Sequence, residues 1–143
     1  MKKAHFPLAA LALGAILSAN TCSDAGKAGA AAQPMGKWVI TSLAGQAVHM
    51  PDGKEMPFIN IDSLGTNVNG YAGCNRVFGT MRIWGDSIAF PGLASTRMYC
   101  QETQATEDAF LDALNHAHTF AVHGDKLVLS AGKELAVFQR AKQ

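Results

Sequence analysis

The sequence predicts an α+β fold: a curled, mostly antiparallel sheet of about seven or eight strands, a partial barrel, packed on one α-helix. Three observations carry this expectation. Short β-branched and aromatic runs recur along residues 37–140, split by Gly-Asp pairs that suit tight hairpins. One segment breaks that pattern and places apolar residues at helical spacing. The chain has 143 residues and is 48% apolar, enough for one packed domain and too short for two.

The elements follow in order. Residues 37–43, Lys-Trp-Val-Ile-Thr-Ser-Leu, form a first strand. Pro51, Asp52, Gly53 and Lys54 signal a turn before a strand over 56–62. Residues 77–84 and 87–90 flank Gly85-Asp86, and residues 119–123 and 126–129 flank Gly124-Asp125. Glycine at the first central position of a two-residue loop favours a type II′ turn, and such short links force antiparallel pairing. Residues 135–140 supply the last strand. From Thr103 to about Ala117, Phe110, Ala113, Leu114 and Ala117 fall at i, i+3, i+4 and i+7, an amphipathic helix with Thr103 as its expected cap. Glu107, Asp108 and Asp112 read as its solvated face.

The N-terminus reads as an address. Lys2 and Lys3 precede an apolar run over residues 8–17, the layout of a secretory signal, and the run is shorter than the roughly 20 residues a bilayer span needs. A buried N-terminal helix is the rival reading. Cys22 then marks the end of residues 1–22 as the site of lipoprotein processing and acylation. Ala19 and Thr21 stand where Leu and a small Gly or Ala are usual, and Leu17 lies two residues early. Ordinary cleavage after Ala25 or Ala30 would instead give a soluble periplasmic protein. Residues 23–36, rich in Ala and Gly, read as a flexible tether, and residues 37–141 as the domain.

Charge limits the partners. Lys plus Arg number 12 and Asp plus Glu 11. Loss of Lys2 and Lys3 with the signal leaves 10 against 11, so no basic excess suits nucleic acid. With Cys22 assigned to the export segment, Cys74 and Cys100 remain, an even pair in a compartment that permits disulfides. A bridge between them closes a loop of about 27 residues, worth about 3.5 kcal/mol in the chain-entropy treatment. Two buried thiols, or a nucleophile beside a base, are the alternatives.

Two stretches stand apart. Residues 69–79 interleave Gly70, Gly73 and Gly79 with bulky side chains, as at bulges or close backbone approaches. Residues 93–100 end in the second cysteine. A bridge would gather Asn75, Arg76, Arg97 and Tyr99 into a candidate patch for an anionic or peptide partner. The competing role for both arginines is structural, on loop carbonyls or on a carboxylate such as Asp62 or Glu107.

Gly-Tyr-Ala-Gly-Cys-Asn-Arg-Val-Phe-Gly at 70–79, Ser-Thr-Arg-Met-Tyr-Cys at 95–100 and Glu-Asp-Ala-Phe-Leu-Asp-Ala-Leu at 107–114 resemble, in order, the motifs of the META domain, or HslJ-like, family. Gly36-Lys-Trp38 and the closing strand fit as well, so the likeness covers about residues 36–140. The resemblance implies an exported bacterial envelope protein, often a lipoprotein, with a curled sheet. It also implies an association with heat shock, novobiocin tolerance, secretion or motility, without an established reaction.

Other chemistry is thinly supported. His116, His118 and His123 are the best metal candidates, yet two straddle the helix end and no carboxylate cluster joins them, so neither a metal nor another cofactor is expected. The sequence has no Gly-x-Ser-x-Gly elbow, P-loop or Cys-x-x-Cys pair. The expected role is therefore non-enzymatic: binding of an envelope protein or peptide at a membrane held through Cys22, with support of envelope integrity under stress. A carrier with an apolar cavity inside the curled sheet is the alternative, and a cysteine-dependent enzyme a second.

Overall fold

Alternation along the chain decides which side chains enter the core. Residues 32–142 are described in a computed structural model; the signal assigned to 1–22, Cys22 and most of the tether lie outside the described residues. In β1 (Gly36–Leu43), Trp38 and Ile40 point inward and are fully buried. The remaining strands are β2 (Gln46–Ala47), β3 (Phe58–Ile61), β4 (Asn67–Tyr71), β5 (Arg76–Thr80), β6 (Arg82–Trp84), β7 (Ser87–Ala89), β8 (Ala94–Ser95), β9 (Thr119–His123), β10 (Lys126–Ser130) and β11 (Glu134–Arg140). The helix α1 (Gln104–His116) lies between β8 and β9.

All pairings are antiparallel, in the order β6-β7-β9-β10-β11-β1-β3-β4-β5-β8, with β2 on β1. This order forces the curl. β5 and β6 lie near opposite ends of the path, yet only Met81 separates them in the chain. The sheet must therefore bend until its ends nearly meet. Met81 turns into the core and its N–H donates to Thr66 O at 2.8 Å, carrying the β4–β5 pairing up to the start of β6. α1 packs against β1, β7, β10 and β11. Phe110 of α1 meets Phe138 of β11 edge-on, ring centroids 6.1 Å apart. With Trp38, Leu114, Leu127 and Leu129 these rings fill the inside of the curl. The clefts described below open at the surface.

The sheet has eleven strands, and the excess over seven or eight has local causes. The run over 77–84 splits at Met81. β2 and β8 have two residues each. β4 contains Asn67, Asn69 and Gly70, poor strand formers. Gly70 is there because the neighbouring strand comes too close for a side chain: a Cβ would collide with the carbonyl oxygen of Phe58. The hairpins at Gly85-Asp86 and Gly124-Asp125 have positive φ at the glycine alone, as type II′ turns require.

Residues just before Lys37 are bonded to the sheet. Pro34 is buried, its carbonyl accepts from Trp38 Nε1 at 2.8 Å, and Met35 O accepts from Arg140 Nη1 at 2.9 Å. The Arg140 guanidinium also lies 4.1 Å from the Trp38 ring centroid. These contacts tie the segment entering the domain to the pairing of β1 with β11.

The β3–β4 connection is held by one carboxylate. Asp62 Oδ1 accepts from the backbone N–H of Thr66 and Asn67 at 2.8 and 3.1 Å, and Oδ2 accepts from Asn67 Nδ2 and Thr66 Oγ1 at 2.8 and 3.1 Å. These bonds, the Asn67 side-chain amide foremost, pull its pKa from 3.8 down to about 2. The folded state therefore holds fewer protons than the unfolded state between those values. Stability from this loop is complete above about pH 4 and is lost as pH falls through about 2. Denaturant titrations of the wild type and Asp62→Asn should differ by a constant amount above pH 4.5, and the difference should shrink between pH 4 and 2. A difference independent of pH would contradict this role.

Candidate functional site

The loop between β4 and β5 is shaped by Gly73, whose φ of 122° favours glycine. Its carbonyl accepts from Tyr71 Oη at 2.6 Å. The turn closes with Ala72 N–H on Asn75 O at 2.9 Å. It aims two successive N–H groups at Glu107: Cys74 and Asn75 donate to Oε2 at 3.0 and 2.7 Å, and Asn75 Nδ2 donates to Oε1 at 2.6 Å. Glu107 is 4% exposed and Asn75 2%. Among the described residues no cation pairs with this carboxylate, and three N–H donors satisfy it instead.

Asn75 works in the other direction too. Its Oδ1 accepts from Met98 N–H and Thr96 Oγ1, both at 2.8 Å, and its Nδ2 also donates to Met98 O at 2.8 Å. Arg76 and Thr96 exchange further bonds: Arg76 N–H donates to Thr96 Oγ1, and Thr96 N–H to Arg76 O, both at 3.1 Å. Cys74 is bonded to Cys100 with Cα atoms 5.8 Å apart, so the disulfide reading holds and the free-thiol and thiolate-nucleophile alternatives fall. Cys100 O then receives the N–H groups of Thr103 and Gln104 as α1 begins. Three chain segments are thus fixed to one another: the glycine loop, residues 95–100 and the helix. Thr103 occupies the N-cap position without a capping side-chain bond; its Oγ1 is buried without a partner among the described residues.

The exposed side of this scaffold is a cleft of about 580 Å³. Arg97, Met98 and Tyr99 line it from one side, Gln104, Asp108 and Leu111 from α1. Met98 is 61% and Tyr99 78% exposed. Of the four candidate residues, Asn75 is spent behind the cleft, while Arg97 and Tyr99 face solvent on it. Arg76 is exposed alongside, through its bonds to Thr96. The structural role weighed for the two arginines is not found: among the described residues neither guanidinium has a hydrogen bond or ion pair, Asp62 is engaged by Thr66 and Asn67, and Glu107 by the glycine loop.

Glu107 itself reads differently in sequence and structure. Expected on the solvated face, it lies on the buried one, three residues before Phe110 and so on the same stripe. That spacing was the available signal. Asp108 and Asp112 do face solvent, Asp108 accepting from Gln104 Nε2 at 2.9 Å and Asp112 pairing with His116 Nδ1 at 3.0 Å. His116, His118 and His123 do not converge: among the described residues no group of three or more potential ligands could hold a metal.

The network has a direction, which makes Glu107→Gln a sharp test. Asn75 cannot flip its amide without breaking its bonds to Met98 and Thr96. A Gln amide nitrogen would then face Asn75 Nδ2, or the Cys74 and Asn75 N–H groups, donor against donor. Glu107→Gln should cost about 2 kcal/mol or more in chemical denaturation despite equal size. A cost under about 0.5 kcal/mol would show that the carboxylate does not hold the corner.

Comparison with other proteins bears on the fold and the family. The model of the META domain family matches residues 31–143. Among solved structures, the chain is similar to a protein from Burkholderia xenovorans studied by NMR, with a TM-score of 0.61, 25% identity and coverage of 76% of this chain and 83% of the other. It is also similar to a second NMR structure, with a TM-score of 0.58, 21% identity and coverage of 73% and 87%. A crystal structure of a DUF4847 family protein from Bacteroides vulgatus gives a TM-score of 0.52, 19% identity and coverage of 76% and 94%. No curated protein matches. A curled antiparallel sheet with one helix, its corner fixed by Cys74, Asn75, Cys100 and Glu107 and matched from end to end by one family model, makes this chain a member of the META domain family.

Proposed function

We propose that this protein is an exported, non-enzymatic recognition domain of the cell envelope, tethered through acylated Cys22, with a role in envelope stress or antibiotic tolerance. Its partner is an extended segment of an envelope protein, bound in the cleft of Arg97, Met98 and Tyr99. The carrying observation is the contrast between the two sides of residues 95–100. Behind them, Asn75, Glu107 and the disulfide fix the backbone. In front, cationic and large apolar side chains are exposed, and among the described residues no ion pair engages the two arginines.

Rigid display of unsatisfied groups lowers the entropy cost of association. Arg97 and Arg76 suit a carboxylate, and Met98 and Tyr99 an apolar neighbour. β8 ends the strand path, so its free edge offers backbone groups to an extended chain. With Cys74 and Cys100 both in the bridge, no thiolate of the domain is left for a cysteine-dependent reaction at this corner, which favours the binding reading.

The Arg76→Ala, Arg97→Ala double variant should keep its stability within about 1 kcal/mol, because both side chains are exposed and unpaired. Pull-down from envelope extract with the wild-type protein should recover a partner that the variant loses. A collapse of thermal stability in the variant, or recovery of the same partner, would refute the assignment.

A further inference from the structure

A second exposed surface lies where the chain enters the domain. Gln33 and Met35 share a cleft of about 510 Å³ with Leu64, Arg82 and Trp84. This is the seam at which the sheet fails to close, between the edge strand β6 and the β3–β4 loop. Met35 fills the bottom of the seam: a Cβ on Gly65 would sit 3.0 Å from its Cε and 3.3 Å from Ile83 Cδ1. At the rim, two large side chains project, one from the β3–β4 loop and one from the end of β6. Leu64 is 79% exposed on the loop braced by Asp62, and Trp84 is 57% exposed at the end of the β6–β7 hairpin.

Both protrusions are held by structure rather than left loose. Asp62 fixes the loop carrying Leu64, and the type II′ turn at Gly85 fixes the hairpin carrying Trp84. Solvent-facing apolar groups of this size, presented together, mark an interaction surface. Trp combines an apolar ring with one N–H donor, the balance that places it at membrane–water boundaries. Arg82 and Asp86 bracket Trp84 with opposite charges, so attachment here is apolar rather than electrostatic.

The chain itself names the occupant. Nine residues lie between Cys22 and Ala32, the first described residue, a reach of at most about 35 Å over the ten Cα–Cα steps. The tether joins the domain beside this seam. We propose that Leu64 and Trp84 form a bilayer-docking face that seats the domain on the phospholipid surface, leaving the Arg97–Tyr99 cleft for its partner. This rests on the reading that Cys22 is acylated. A lipid-modified Cys22 would hold the domain within reach of the bilayer, and an apolar face beside the tether would set its orientation there.

The two tryptophans make the test direct. Trp38 is fully buried and bonded to Pro34, whereas Trp84 is exposed. The exported protein is mixed with vesicles of phosphatidylethanolamine and phosphatidylglycerol, plain or carrying bromine on the upper acyl chain, beside Trp84→Phe. N-terminal mass spectrometry records acylation in the same samples. Brominated vesicles should quench wild-type emission and leave the emission of Trp84→Phe unchanged, with little dependence on salt. Leu64→Ser should weaken vesicle partitioning of exported Cys22→Ser protein roughly tenfold. Acylated, vesicle-bound protein with unquenched Trp84 would overturn docking while leaving the anchor intact. Quenching without acylation would uphold docking and refute the anchor. Shielding of Trp84 by lipid-free envelope protein but not by vesicles would make the occupant a protein and overturn the proposal.

Discussion

The corner of this protein depends on one buried carboxylate. Glu107 reaches from the first turn of α1 into a loop that has folded back to present two consecutive N–H groups and one side-chain amide. Removing a carboxyl group from water costs several kcal/mol unless donors replace the water, so loop and helix must form together. Asn75 carries the constraint onward, because the same amide that donates to Glu107 clamps the backbone of Met98 in both directions. The Cys74–Cys100 bridge lies beside this bonding and restricts the unfolded chain. Hydrogen bonding selects the geometry of the corner, and the disulfide makes departure from it less favourable.

This constraint connects the two halves of the molecule. The aromatic core around Trp38, Phe110 and Phe138 holds α1 against β1, β10 and β11. β4, β5 and β8 lie toward the far end of the strand order. Glu107 is the polar link from the helix to that end, and Met81 is the covalent link from that end back to β6. Together they explain how a sheet with two open edges keeps a nearly closed curl. They also leave two surfaces with distinct physics: a cleft bearing unpaired cations over the rigid corner, and an apolar rim at the seam near the tether.

The sequence revealed much of this and hid the rest for identifiable reasons. The helix was legible because Phe110, Ala113 and Leu114 repeat at its period. Counting cysteines suggests the pairing but leaves buried thiols and a nucleophile open, and the Cα separation decides it. The hairpins at Gly85 and Gly124 were legible because glycine at that position has one conformational use. β4 was obscured because its composition answers to the approach of Phe58 O at Gly70, a constraint set by a neighbouring strand. The burial of Glu107 is signalled only by its spacing to Phe110, because its partners, two backbone N–H groups and the Asn75 amide, lie about thirty residues upstream. Asn75 was read as a recognition group because a polar residue beside a cysteine looks the same whether it faces a partner or the interior. The contacts of Pro34 and Met35 leave no trace in the sequence because they run through carbonyls, which any residue possesses.

Native-state hydrogen exchange at individual amides tests the central claim most directly. If Glu107 and Asn75 hold the corner, the N–H groups of Cys74, Asn75 and Met98 should exchange only through global unfolding, with the protection of core amides in β1 and β11. The amide of exposed Tyr99 should exchange far faster. Exchange of the Cys74, Asn75 and Met98 amides at the Tyr99 rate would mean that the corner opens freely, and the account of a rigidly displayed cleft would fail.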